Sequence, residues 1–201
     1  MGRVSDAKQR LLDATIDLIW QHSYGAVTVD NICERAGVKK GSFYYFFPTK
    51  TDLVLAALDA HWQNIKPNFE AVFDPELPPL DRLHGYFELL HERQSAYAKK
   101  FGRVIGCPFC SVGSETSCSD PVICRKIRDV MEAYAKYHRQ TIADLQDAGI
   151  VPRQDVDTQV RALLAYVHGV MGHARIQNDL ELIRDMEAGA LKLLGAEPAL
   201  A

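Results

Sequence analysis

The sequence predicts an all-α protein of nine helices, with a small three-helix domain at the N-terminus and a larger helical domain after it. Three observations predict this. Apolar residues recur at steps of three and four along most of the 201-residue chain, the period-two alternation of strands is nearly absent, and two short helices flank a tight turn at Gly37. An apolar fraction of 47% with 24% charged residues is ordinary globular composition, long enough to bury a core without staples.

The elements follow in order. A first helix over 5–22 sets Leu11, Leu12, Thr15, Leu18 and Ile19 on one face and ends in the polar turn HSYGA. Thr28 caps a second helix, TVDNICERAG, with Asp30 and Asn31 in its first turn and Gly37 just past its end. The third, KKGSFYYFF, stops before Pro48. Thr49 caps a long fourth helix whose Leu55, Leu58, Trp62, Ile65 and Phe69 form a buried stripe, and Pro67 is expected to bend or end it.

The segment DPELPP, 74–79, is the clearest internal break, and Leu80, Leu83, Phe87 and Leu90 mark a fifth helix to about Lys99. A short sixth opens at Pro108. Asp120 and Pro121 start a long seventh, with Ile127, Val130, Tyr134, Tyr137 or His138, and Thr141 facing inward, ended by Gly149 and Pro152. Asp155 starts an eighth helix reaching about Ile176, and a ninth runs from about Leu180 to Leu194.

Composition also excludes function classes. No apolar run approaches the length of a membrane span, and the N-terminus mixes acids into its apolar residues, unlike a signal peptide. A cytoplasmic protein with reduced thiols is expected. A net charge of −3 argues against a coat for nucleic acid, yet residues 1–52 carry seven Lys/Arg against six Asp/Glu, which leaves room for a locally basic face. No convergent acid, base and nucleophile set stands out beyond the cysteines, so no enzyme, metal or cofactor is expected.

Lys39, Lys40 and Ser42 begin the third helix, where amides and cations meet phosphate; Phe43 and Phe47, four apart, face inward and leave Ser42, Tyr44 and Tyr45 to a groove. With TVDNICERAGVKKGSFYYFFPTKTDLVLAAL, 28–58, the chain resembles the TetR family of one-component transcriptional regulators, and the nine-helix layout extends the resemblance over nearly the whole length. The resemblance implies a DNA-binding domain over 1–50 and a ligand-binding and dimerisation domain over 51–201. It implies that Thr28, Lys40, Gly41, Ser42, Tyr44 and Lys50 serve a double-stranded operator, Tyr44 at the bases and Lys50 at a phosphate, and Lys39 and Tyr45 beside them complete the candidate set. Phe46 stands where the family often has His or Tyr, and it has no hydrogen bond to donate.

One recognition helix reads only a few base pairs, so a homodimer on a partly palindromic operator is expected. Gly169, Gly172 and Ala174 in the eighth helix, with Gly189 and Ala190 in the ninth, are small residues suited to its seam. The family further implies a pocket for a small-molecule inducer within helices four to eight. Candidate lining residues are Trp62, Phe69, Phe87, Phe109, Tyr134, His138, Tyr166 and His173; His84, His91 and His168 are read as surface or satisfied core histidines.

The stretch GCPFCSVGSETSC, 106–118, holds three of the five cysteines. Only Cys107 and Cys110 have knuckle spacing, which is too little for a zinc ribbon, and no strand alternates with helix as in a thioredoxin-like enzyme. A zinc module and a thiol enzyme remain the alternatives to a regulator. The segment resembles the GC-to-E stretch of a TetR subgroup that includes repressors responsive to electrophiles and oxidants, which implies a reactive cysteine at Cys107 only; Cys110 or Cys118, without a counterpart there, could act as a resolving thiol, and Arg175 or His173 could supply a neighbouring charge. Small, buried, packed cysteines are the other reading, and the residues alone leave both open.

Overall fold

The computed structural model describes residues 2–117 and 119–196, with side chains from residue 6 onward. Cys118 lies outside the described residues. Every regular element among them is helical: α1 (Gly2–Gln21), α2 (Val29–Ala36), α3 (Lys40–Phe46), α4 (Lys50–Val72), α5 (Pro79–Phe101), α6 (Pro108–Thr116), α7 (Pro121–Asp147), α8 (Val156–Gln177), α9 (Glu181–Arg184) and α10 (Met186–Leu194). The expected ninth helix is thus a single turn and a longer piece, parted at Asp185, whose amide bonds back to Glu181. None of the described helices is long and apolar enough to cross a membrane.

The chain divides into two compact units, Met1–Lys66 with Pro108–Val130, and Pro67–Cys107 with Met131–Ala201. In the first, the apolar faces of α1, α2 and α3 meet the start of α4 and α6. Leu11, Ile32, Phe43, Leu53, Leu58 and Phe109 are fully buried there, each worth about 1.5–3 kcal/mol of transfer free energy. Trp20 meets His61 edge-on at 5.1 Å, and His61 lies 5.7 Å from Phe109, which ties α1, α4 and α6 together.

The local signals set the ends of the reading helices. Thr28 accepts the Asn31 amide while the Asn31 side chain accepts the Thr28 amide, a reciprocal cap, and Gly37 closes α2 in the left-handed conformation at φ 62°. Pro67 does not end α4, which runs through it to Val72. Proline inside a helix costs about 3 kcal/mol, and burial of Phe69 and Phe73 just beyond it, at about 1.5–3 kcal/mol each, offsets that.

The second unit comprises the end of α4, α5, the C-terminal two-thirds of α7, and α8 to α10. Its centre is a set of rings: Phe69 stacks on Tyr134 at 5.0 Å and 4°, Phe73 on Tyr137 at 5.3 Å, and Tyr86 packs against Phe73. At its edge the buried Arg82 guanidinium pairs with Asp144 at 2.6 Å and donates to the carbonyls of Leu77 and Pro75, which fixes the proline-rich entry to α5.

Candidate nucleic-acid interface

The third helix sorts its side chains as its spacing predicts. Phe43 is fully buried and Phe47 5% exposed, whereas Tyr44 and Tyr45 are 54% and 76% exposed. Large rings held out by a rigid short helix form a surface that its own unit does not cover. Lys39, Lys40 and Gly41 are exposed at the start of α3, and Ser42 is half-buried. Lys40 is not a bare cation: its Nζ lies 2.8 Å from Asp30 Oδ1, and that carboxylate, by hydrogen bond and charge, raises the lysine's pKa. Thr28 is exposed at the N-terminus of α2, on the same module.

Lys50, expected at a phosphate, is tied to the protein's own backbone. Its Nζ donates to the carbonyls of Tyr24 at 2.7 Å and Val27 at 2.8 Å and sits 4.1 Å from the Tyr24 ring centroid. Burial lowers its pKa, and the nearby Glu115 works against that shift. The two carbonyl bonds make Lys50 a brace for the turn before α2. Nothing in the local sequence signals this, since its partners lie 23 and 26 residues away.

The segment before Cys107 is pinned within the second unit. Gln94 on α5 exchanges two hydrogen bonds with the Gly106 backbone, Arg175 on α8 donates to Ile105 O at 3.2 Å, and Asn178 accepts the Val104 amide at 2.9 Å. Gly106 has φ 66°, and a Cβ there would stand 3.3 Å from Met171 O, so glycine is required by both backbone and space. This presents Cys107 half-exposed, with its sulfur within 4.8 Å of a ring nitrogen of His168. Of the expected charged neighbours, Arg175 holds the strap and His173 is exposed and faces Gln177 at 3.4 Å; His168 is a further imidazole near Cys107. Burial lowers the His168 pKa.

The candidate pocket residues are distributed over both units. Trp62 and Phe109 are core of the first unit. Phe87, Tyr134 and His138 join the ring cluster of the second, while Tyr166 donates to Met186 O at 3.1 Å and packs α8 against the C-terminal helices. His138 is fully buried against Tyr86 at 4.6 Å and Phe73 at 5.0 Å, and neither ring nitrogen has a hydrogen-bond partner. Desolvation, helped by His168, takes its pKa down to about 3. His91 is not the satisfied histidine expected either, since its Nε2 is buried without a partner. His84 is exposed and paired with Glu187 at 3.0 Å.

Residues 11–57 match the family described as bacterial regulatory proteins, tetR family. The N-terminal module is thus similar to the DNA-binding domain of that family. The wider comparisons agree over most of the chain. The regulatory protein TetR from Rhodobacter sphaeroides has the same fold with a TM-score of 0.82 and 24% identity, covering 93% of this chain and 98% of that one. A TetR-family structure from Agrobacterium tumefaciens superposes with a TM-score of 0.86 at 17% identity, over 96% and 100% of the two chains, and the reduced form of E. coli NemR with 0.81 at 20%, over 97% and 100%. Among curated relatives, the regulator AcuR of Cereibacter sphaeroides is 25% identical over 85% of this chain and 77% of its own length. The repressor DhaR of Mycobacterium sp. is 23% identical over 87% and 85%. An all-α fold with an N-terminal helix-turn-helix, shared with solved TetR-family structures, is therefore the architecture of this protein.

Proposed function

We propose that the protein is a homodimeric transcriptional repressor that holds a partly palindromic operator through Thr28, Lys39, Lys40, Gly41, Ser42, Tyr44, Tyr45 and Lys50, and leaves it when a small molecule or electrophile acts on helices α4 to α8. The observation that carries this is the outward face of α3, where two exposed tyrosines follow two exposed lysines on a helix anchored from behind by Phe43 and Phe47. Lys50 spends two of its three N–H donors on the carbonyls of Tyr24 and Val27, which leaves one for a phosphate.

Dimerisation is supported by α8. Ala162, Ala165, Gly169, Gly172 and Ile176 are exposed at steps of three and four along one side, Ile176 by 78%, and Leu193 of α10 is 46% exposed. Small residues in such a row let a second helix approach closely, and one module spans too few base pairs for specificity by itself.

The signal reading rests on Cys107. A half-exposed thiol can be reached by an electrophile, and its thiolate is the form that attacks. In that step the sulfur bonds to the electrophile's carbon as the π bond at that carbon breaks, and the thiol proton ends on the carbanion so formed. The signal must favour a conformation that the operator disfavours, or no release follows.

The test is retardation of the fragment upstream of the protein's own gene, at low salt, with and without a mild electrophile. Binding that steepens with falling salt supports the operator reading; failure to retard any such fragment overturns it. Cys107→Ser should keep DNA binding and lose release by the electrophile, and equal release from both proteins removes Cys107 from the mechanism.

A further inference from the structure

Glu115, in the last turn of α6, belongs to none of the sites above. Its Oε2 accepts the amide of Tyr24 at 2.8 Å and its Oε1 the amide of Gly25 at 2.7 Å, residues 91 and 90 positions away in the chain. These two amides lie in the turn between α1 and α2, and converging backbone N–H groups make a small anion site that the protein fills with its own carboxylate. The opposite side of the turn is held by Lys50, on the carbonyls of Tyr24 and Val27. The Tyr24 hydroxyl lies 3.3 Å from that of Thr51, which in turn donates to Asp120 at 3.2 Å. The residue after Val27 is Thr28, the cap of α2.

The turn is built for this approach. A Cβ at Gly25 would lie 3.0 Å from Glu115 Oε1, so a side chain there presses on the carboxylate. Gly25 is exposed and Tyr24 half-exposed. Water therefore satisfies both amides if the carboxylate leaves, and the fold loses little. What is lost is the fixed position of the turn: hydrogen bonds to a charged acceptor are roughly twice as strong as neutral ones, and a pair of them on adjacent amides fixes direction as well as distance.

We propose that Glu115 is a positioning residue for DNA binding: through its carboxylate, α6 fixes the turn that sets the start of α2, and withdrawal of the carboxylate loosens Thr28 and the helices that follow. This rests on the DNA-binding reading above. It adds a route by which a change in α6 reaches the reader without touching the DNA face.

The test uses the full chain as wild type, Glu115→Gln, Glu115→Ala and Gly25→Ala. Amide hydrogen exchange is read at Tyr24 and Gly25, and affinity is measured on a labelled duplex from the upstream region at several salt concentrations. Glu115→Ala should exchange both amides at least about tenfold faster and bind the duplex about tenfold or more weakly. The slope of log affinity against log salt should stay that of wild type, because no phosphate contact is removed. Glu115→Gln keeps one neutral acceptor and falls between, and Gly25→Ala shifts both readouts in the same direction by less. Unchanged exchange overturns the clamp, and faster exchange with wild-type affinity overturns the positioning role. An affinity loss with a shallower salt slope also overturns it, by exposing a direct phosphate contact. Wild-type protein that binds no fragment refutes the regulator reading, and the exchange measurement then judges the clamp by itself.

Discussion

Replacing His138 with leucine should make the protein more stable, and more so in acid. The imidazole is fully buried among Phe73 and Tyr86 with both nitrogens unpaired. An unsatisfied buried polar group costs about 1–3 kcal/mol, and leucine has nearly the same volume without that cost. The proton linkage adds to it. The folded pKa, about 3, lies below the 6.5 of the free side chain, so between those values the unfolded chain binds a proton that the folded one refuses. Stability from this group is whole above pH 6.5 and falls as pH drops toward 3, by about 1.4 kcal/mol per unit, or roughly 2 kcal/mol at pH 5. Urea melts at fixed protein concentration, at pH 8 and pH 5, measure it. His138→Leu should lose about 2 kcal/mol less than wild type between the two pH values, which is roughly 4–8 °C in a thermal melt for a chain this size. Equal losses in the two proteins would refute the assignment of the proton to His138.

Two further outcomes follow from the geometry. Arg82→Met should cost about 1–3 kcal/mol in a urea melt, because it leaves the carbonyls of Leu77 and Pro75 without their donor and Asp144 with Gln140 as its remaining one; the double change with Asp144→Leu should recover part of that loss. Asp30→Asn frees Lys40 from its ion pair and removes a negative charge from the reading module, so operator affinity should rise by roughly threefold to tenfold at low salt, with a gain that shrinks as salt is added.

The reading module was legible in the sequence because its signals are local. Thr28, Asn31 and Gly37 define α2 by capping chemistry, and the four-residue step from Phe43 to Phe47 leaves Tyr44 and Tyr45 outside whatever packs behind them. Pro108 and Asp120 likewise announce the starts of α6 and α7. The course of α4 through Pro67 was not legible, since a single missing hydrogen bond is outweighed by rings that bury only in the folded chain.

The sequence by itself determined the helical class, the order of the elements and the face of α3 turned to solvent, because these depend on periodicity and on caps a few residues apart. Tertiary structure alone decided which polar groups meet. It set Lys50 on the carbonyls of the turn before α2, Glu115 on that turn's amides, His168 beside Cys107, and His138 unpaired among aromatic rings. Each depends on distances between residues far apart in the chain, and no propensity or spacing encodes such a distance until the helices have packed.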